Sequence, residues 1–171
     1  MIYALRNLLS MALLPGTAAG LIPWWLVRRA GGVQMPEGPA AWAAVAAGAL
    51  SLAVGLALFS WSLAHFWTRG RGTLAPWDPP RVFVASGPYR VVRHPMISGV
   101  IFVLAGEALL LRSPAVAVWA GIFVAINATY LPLVEEPGLL RRFGGSYANY
   151  QRRVPRFLPR PIGAKRTEDE A

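Results

Sequence analysis

The segment from Ala40 to Trp67 contains no Asp, Glu, Lys or Arg and is apolar over almost its whole length. A helix needs roughly 20 apolar residues to cross the hydrocarbon core of a bilayer, and this segment is longer than that. Hydrophobic residues make up 55% of the chain and charged residues only 15%, which is unusual for a soluble domain of this size. The chain is therefore expected to be an integral membrane protein.

Three further apolar segments have the composition of membrane spans. They run from about Tyr3 to Val27, from Pro95 to Leu111 and from Ala115 to Val134. The first resembles a signal peptide, but its apolar character continues through Val27, which favours a retained helix. The last two are separated only by Arg112-Ser113-Pro114, which predicts a tight helical hairpin. The expected fold is all-α, with about four transmembrane helices.

A C-terminal amphipathic helix is expected between Glu135 and Pro159. Apolar and aromatic side chains recur there at helical spacing between arginines: Leu139, Phe143, Tyr147 and Tyr150. Such a helix lies on the membrane surface or folds back over the bundle. We divide the chain into residues 1–67, with two transmembrane helices, and residues 68–171, with the hairpin, the amphipathic segment and the candidate site.

Positive charge is concentrated next to the apolar segments. The net charge is +9, and the arginines lie mainly in residues 68–94 and after Val134. This placement favours anionic lipid headgroups as partners and argues against nucleic acid. With four spans both regions share one side, so the positive-inside rule predicts that they and both termini are cytosolic. The expected location is a bacterial inner membrane, although Arg28 and Arg29 would then lie on the far side.

The available chemistry is limited by residue type. The chain has no cysteine and only two histidines, His65 and His94, so no metal site is expected. Reactions must depend on carboxylates, guanidinium groups, tyrosines, imidazole or a bound organic cofactor. His65, at the end of a span, is interpreted as an interfacial residue.

The strongest candidate site is the run from Gly87 to Gly99, GPYRVVRHPMISG, followed after the hairpin by Glu135-Glu136. Proline is well tolerated in the first turn of a helix, so Pro95 predicts a helix that begins there. Arg93 and His94 would then lie at its N-terminus. For Arg93 alone, a simple anchoring role at the membrane surface is the better interpretation.

These motifs resemble the isoprenylcysteine carboxyl methyltransferase and phospholipid methyltransferase family. The resemblance covers Arg81 to Pro159 and includes G-P-Y-x-x-x-R-H-P-x-x-x-G and E-E-x-x-L-x-x-x-F-G-x-x-Y-x-x-Y, in order around the hairpin. It implies a membrane enzyme that uses S-adenosylmethionine, without a metal, to methylate a lipid or lipid-like amphiphile. The acceptor would be a prenylcysteine-type carboxylate or a phospholipid-type amine.

The resemblance also implies a set of cofactor-binding residues. They are Arg81, Val82, Phe83, Val84, Tyr89, His94, Pro95, Met96, Ile97 and Glu135. The chemistry is compatible, because a carboxylate can accept from the ammonium and ribose, cationic donors can hold the carboxylate, and apolar side chains can cover adenine. Arg93 and Glu136 are the candidate catalytic residues, with Glu136 placed to take a proton from an amine acceptor.

Two positions depart from the family pattern. Ile97 stands where the family usually has a tyrosine, which removes a hydroxyl but keeps an apolar contact. Leu131 stands where prenylcysteine methyltransferases carry an arginine for the substrate carboxylate. An acceptor other than a standard prenylcysteine is therefore favoured.

Other functions and residues remain open at this point. Sterol-type membrane reductases share a similar R-H-P element but bind NADPH, whose phosphates Glu135 and Glu136 would repel. A non-catalytic membrane scaffold is the other alternative. Glu107 and Asn127 lie inside expected spans, where polar residues are often functional. The more ordinary interpretations are that Glu107 reaches toward Arg112 and that Asn127 bonds to another helix.

Overall fold

The computed structural model of the chain describes residues 15–33, 35–69 and 83–157. All regular elements in these ranges are helical. A π-helical turn, Thr17–Leu21, leads into α1 (Ile22–Arg29). Three longer helices follow, α2 (Gly38–Arg69), α3 (Pro95–Leu110) and α4 (Pro114–Tyr130), and then α5 (Glu136–Arg153). The all-α prediction is confirmed, while the part of the first expected span before Pro15 lies outside the described residues.

Two helical stretches are long and apolar enough to cross a membrane. They are Gly38–His65 and the continuous run Pro114–Arg153, whereas α3 is apolar but shorter. Only 11% of the apolar window of each stretch is buried inside the protein. A core helix of a soluble protein would be mostly buried, so these surfaces fit contact with lipid. The number of spans, expected to be four, remains a proposal.

The helices α2 and α3 pack at backbone distance along four glycines, which we call the glycine seam: Gly48, Gly55, Gly99 and Gly106. A Cβ atom added at Gly55 would lie 2.7 Å from the carbonyl oxygen of Gly99, and one at Gly106 would lie 2.7 Å from the backbone nitrogen of Leu52. Small residues allow this approach, which is how apolar helices associate where lipid removes the hydrophobic driving force.

The α3–α4 connection is the short turn that the sequence predicts. Arg112 has a positive φ of 47°, and Ser113 caps α4 by accepting a hydrogen bond from the backbone N–H of Val116 at 3.4 Å. Pro114 is the first residue of α4, where its missing N–H costs nothing. On the other side of α4, the indole of Trp119 donates to the carbonyl of Ala18 at 2.8 Å and joins the N-terminal turn to this helix.

A π-helical turn, Leu131–Glu135, joins α4 to α5 without an intervening loop. The amphipathic C-terminal helix is thus a continuation of the apolar α4. It is interrupted once, at Gly144, whose φ of 55° and ψ of −131° are not helical. Glu135 and Glu136 consequently lie at the junction where the apolar helix becomes polar.

Candidate active site

A short 3-10 turn, Gly87–Arg90, carries the first motif residues. Gly87 has a φ of 60°, a conformation that glycine adopts without strain. The hydroxyl of Tyr150, on α5, donates to the carbonyl oxygen of Tyr89 at 2.6 Å. The turn is therefore attached directly to α5 through a motif tyrosine.

The segment after α5 pairs with the segment before α3. The backbone N–H of Arg93 donates to the carbonyl of Pro155 at 2.8 Å, and that of His94 donates to the carbonyl of Arg156 at 3.3 Å. The hydroxyl of Ser98 adds a side-chain bond to the carbonyl of Phe157 at 3.3 Å. These bonds bring residues 154–157 across the N-terminal end of α3, which begins at Pro95 as the sequence predicts.

Five charged or ionisable side chains meet at this end of α3, and we call them the ion cluster: Arg93, His94, Glu135, Glu136 and Arg156. Glu136 is its centre and is only 3% exposed. Its carboxylate lies 2.8 Å from Nη1 of Arg93 and accepts from Arg156 Nε and Nη2 at 2.8 and 2.9 Å. Gln151 donates to the same carboxylate at 3.0 Å. Such saturation is what a buried carboxylate requires.

His94 lies between the two carboxylates of the ion cluster. Its Nδ1 is 3.5 Å from Glu135 and its Nε2 is 3.4 Å from Glu136. Burial disfavours the charged imidazole, but hydrogen bonds and charge attraction from the two glutamates outweigh it and raise the pKa of His94. Protonated His94 can donate from both ring nitrogens at once.

Glu135 differs from Glu136 in its exposure, because 38% of its side chain is accessible. The charge of Glu135 acts on Tyr89 as well as on His94. Burial, and then the negative charge of Glu135, raise the pKa of the Tyr89 hydroxyl, so this group stays protonated and can donate. Glu135 is thus an accessible acceptor beside a phenol and an imidazole.

The remaining expected cofactor residues differ in their surroundings. Phe83 packs into an aromatic cluster on α5, with ring centroids 5.0 Å from Tyr150 and 5.4 Å from Phe143. Half-buried side chains that could still cover a ligand are Val84, Met96 and Ile97, whereas Pro95 is buried. Arg81 and Val82 lie outside the described residues.

Comparison of the chain with known protein families decides which family it belongs to. The family model described as phospholipid methyltransferase matches residues 43–146, which is more than half of the chain. This chain belongs to the phospholipid methyltransferase family. The family prediction is thereby confirmed, and with it S-adenosylmethionine as the methyl donor that members of the family use. The family is membrane-bound, in agreement with the two long apolar helical stretches.

A curated relative, methanethiol S-methyltransferase 2 of Bradyrhizobium diazoefficiens, is 37% identical over 84 residues. The alignment covers 47% of this chain and only 30% of the length of that relative. No solved structure matches the chain. The comparisons therefore establish the family and leave the methyl acceptor open.

The residues of the ion cluster fit the cofactor of this phospholipid methyltransferase family member. Arg93 pairs with Glu136 through Nη1, while its Nε is buried and has no hydrogen-bond partner among the described residues, so a ligand carboxylate that enters the ion cluster can satisfy it. Accessible Glu135 offers an acceptor of the opposite charge. This donor set matches a ligand that carries both a carboxylate and an ammonium group.

Sequence reasoning passed over two features of the site. Arg156 completes the ion cluster. His65, interpreted as interfacial, contacts the Gly87–Arg90 turn. The spacing of Arg156 from Glu136 carries no local signal, because they meet through the fold. Neither Glu107 nor Asn127 belongs to the ion cluster. The Asn127 amide donates to the carbonyl of Phe123 on its own helix at 2.8 Å, instead of to the other helix that we expected.

Proposed function

We propose that the protein transfers the methyl group of S-adenosylmethionine to a lipid or lipid-like amphiphile at the cytosolic face of a bacterial inner membrane. The observation that carries this proposal is the position of the ion cluster. It lies where the apolar α4 ends and the polar α5 begins, with one accessible carboxylate, Glu135, beside one buried carboxylate, Glu136. A water-soluble cofactor and a membrane-borne acceptor can both reach such a junction.

The chain offers a suitable partner for each part of the cofactor. Glu135 would accept from its ammonium or ribose, and Arg93 and His94 would donate to its carboxylate. Tyr89, as a protonated phenol, adds a donor, and Val84, Met96 and Ile97 provide apolar contact. When bound, the cofactor supplies a methyl group activated by a sulfonium. The side chains hold the reactants in place and exclude water. These two effects can account for much of the acceleration of a displacement reaction.

The contacts of Glu136 bear on its proposed role. A carboxylate that pairs with two guanidinium groups has little tendency to take up a proton. Its contacts therefore favour a positioning role, in which Glu136 fixes Arg93 and Arg156, over the proton-accepting role expected from sequence. For an amine acceptor, accessible Glu135 is then the better candidate to receive the proton.

Three acceptor classes follow from the family, the motif departures and the relative. A phospholipid amine is the first candidate, and a prenylcysteine carboxylate is disfavoured because Leu131 replaces the expected arginine. A thiol is the second candidate, suggested by the name of the relative that is 37% identical over 84 residues. A thiol acceptor must lose its proton before it reacts, because the thiolate is the nucleophilic form.

The deciding experiment measures binding and turnover in parallel. Purified protein in detergent or nanodiscs should bind S-adenosylhomocysteine and not NADPH, by calorimetry. Labelled methyl transfer is then compared for phosphatidylethanolamine, a farnesylcysteine analogue and methanethiol. Binding of neither compound would favour a scaffold, and NADPH binding would favour a reductase. Leu131 is fully buried, so an arginine there would place a charge in the interior, and the acceptor series is the cleaner test.

The proposed orientation can be tested with single cysteines, because the chain has none of its own. Ala85→Cys and Ser146→Cys replace exposed residues on the proposed cytosolic side, and Ala30→Cys replaces an exposed residue on the far side. In intact cells an impermeant thiol reagent should label only Ala30→Cys. Labelling of Ala85→Cys from outside would reverse the orientation.

A further inference from the structure

His65 lies near the end of α2, a helix that carries no residue of the recognised motifs. Its Nε2 is 3.1 Å from the hydroxyl oxygen of Ser86. Ser86 precedes the Gly87–Arg90 turn, so the contact joins α2 to the entry of the candidate site. The two residues are 21 positions apart in the sequence, so this is a contact between different structural elements.

The imidazole ring also lies directly against Gly87. A Cβ atom added to Gly87 would be 2.7 Å from both Cε1 and Nε2 of His65, so the imidazole ring would have to move to accommodate it. The φ of 60° favours glycine at this position, and glycine also leaves the imidazole ring room to lie against the turn. The imidazole ring of His65 and the Gly87–Arg90 turn are thus in close contact.

The turn is held from the opposite direction by α5. Tyr150 donates to the carbonyl oxygen of Tyr89 at 2.6 Å, while the backbone N–H of Val91 closes the turn on the carbonyl of Pro88 at 3.1 Å. Tyr89 lies near enough to Glu135 for that charge to act on its hydroxyl. The position of the Tyr89 side chain thus depends on two supports, one from α2 and one from α5.

We propose that His65 is a positioning residue for cofactor binding, acting through Ser86 and Gly87 to hold Tyr89 beside Glu135. This rests on the proposed function, because it assigns Tyr89 and Glu135 to the cofactor. It gives α2 a part in the active site in addition to its place in the membrane. The imidazole acts by shape and by one hydrogen bond and touches neither cofactor nor acceptor.

The first test compares substitutions at the end of α2. His65→Ala should raise the Kd for S-adenosylhomocysteine about tenfold, which corresponds to the loss of one hydrogen bond and its packing. His65→Gln, which can still bond to Ser86, should recover most of the affinity. The KM for the acceptor at saturating cofactor should stay unchanged. Thr68→Ala is the matched control, because among the described residues its hydroxyl bonds to backbone carbonyls of α2 itself, those of Ala64 and His65.

The second test uses the contact with Gly87. Gly87→Ala should weaken binding, and its effect should be smaller in the His65→Ala background, where the ring no longer occupies the space. The left-handed φ of Gly87 keeps this relief partial, because an alanine there is strained whether or not the ring is present. Fully additive effects of the two substitutions would show that the ring and the turn do not act on each other.

A third measurement separates this inference from the proposed function. Hydrogen exchange of peptides covering residues 86–92 reports the turn directly, with or without ligand. It should be faster in His65→Ala than in the unmodified protein and unchanged in Thr68→Ala. Exchange that His65→Ala leaves unaltered would overturn the role of His65. Failure of the unmodified protein to bind S-adenosylhomocysteine would instead overturn the cofactor assignment and the use of the turn for it.

Discussion

The helix α3 is held in two different ways along its length. Its middle packs on α2 through the glycine seam, where backbone atoms of Gly55 and Gly99 approach without any charge. Its N-terminal end is held by the ion cluster, where Arg93, His94 and Arg156 surround two carboxylates. The first contact depends on shape and the second on charge balance. They should therefore fail under different perturbations, and only the second should respond to ligand or pH.

The largest expected effect is on the charge-balanced end. Glu136→Gln leaves Arg93 and Arg156 partly buried without their counter-ion, and breaking such a pair costs about 3–5 kcal/mol. The free energy of unfolding in detergent, followed by circular dichroism in denaturant, should fall by this amount. Glu37→Gln, at an exposed position, is the control and should change stability little. Equal stability of the two variants would mean that the ion cluster does not hold the end of α3.

The next effect breaks the shape-dependent contact. Gly55→Ala places a Cβ atom 2.7 Å from the backbone of α3, so the helices must separate, at a cost of about 3 kcal/mol. Gly121→Ala on α4 meets nothing within 4 Å. It should instead stabilise its helix by up to about 1 kcal/mol. Opposite changes in the free energy of unfolding for the two Gly→Ala substitutions would confirm the glycine seam. A Gly55→Ala protein that is more stable than the unmodified protein would refute it.

A substitution with a smaller expected effect distinguishes the ligand-binding role of the ion cluster from its role in stability. Glu135→Gln removes the accessible carboxylate and should weaken S-adenosylhomocysteine binding by roughly 1–3 kcal/mol. The free energy of unfolding should change much less than in Glu136→Gln, because Glu135 is partly solvated. Calorimetry on the two variants provides the comparison. Unchanged affinity in a folded Glu135→Gln protein would remove this residue from the cofactor site.

The smallest effect is a pH dependence confined to the ion cluster. The pKa of His94 is raised in the folded protein, so its contribution to stability is complete below the ordinary value of 6.5 and disappears as pH rises through the folded pKa. The thermal midpoint should therefore decline with rising pH above that point. His94→Asn should flatten this decline, while Gly55→Ala should lower the midpoint and leave the slope unchanged. A slope that survives in His94→Asn would assign it to another group.

The helices and the hairpin were predictable because each depends on a local pattern. Apolar length indicated α2 and α4, and proline in a first turn fixed the start of α3 at Pro95. The short turn before Pro114 left no room for anything except antiparallel neighbours. The motif residues Arg93, His94, Glu135 and Glu136 were also predicted as a group, and they do meet at one end of α3.

The remaining features depend on contacts between distant segments. Nothing near Arg156 indicates that its guanidinium pairs with Glu136, since the pairing arises from backbone bonds of residues 154–157 to Arg93 and His94. The contact of His65 with Gly87 is equally non-local. The glycine seam did leave a signal, because Gly48 and Gly55 on α2 have the same seven-residue spacing as Gly99 and Gly106 on α3. That spacing places both members of each pair on one helix face.

The scattered origin of the ion cluster also determines when it can form during synthesis. Glu136 follows His94 by 42 residues, and Arg156 follows Glu136 by another 20. When Arg93 and His94 have emerged from the ribosome, their counter-ion Glu136 has not yet been exposed. This cationic segment must therefore remain among headgroups or water until Glu136 appears. The counter-ion arrives only after both arms of the hairpin have emerged from the ribosome.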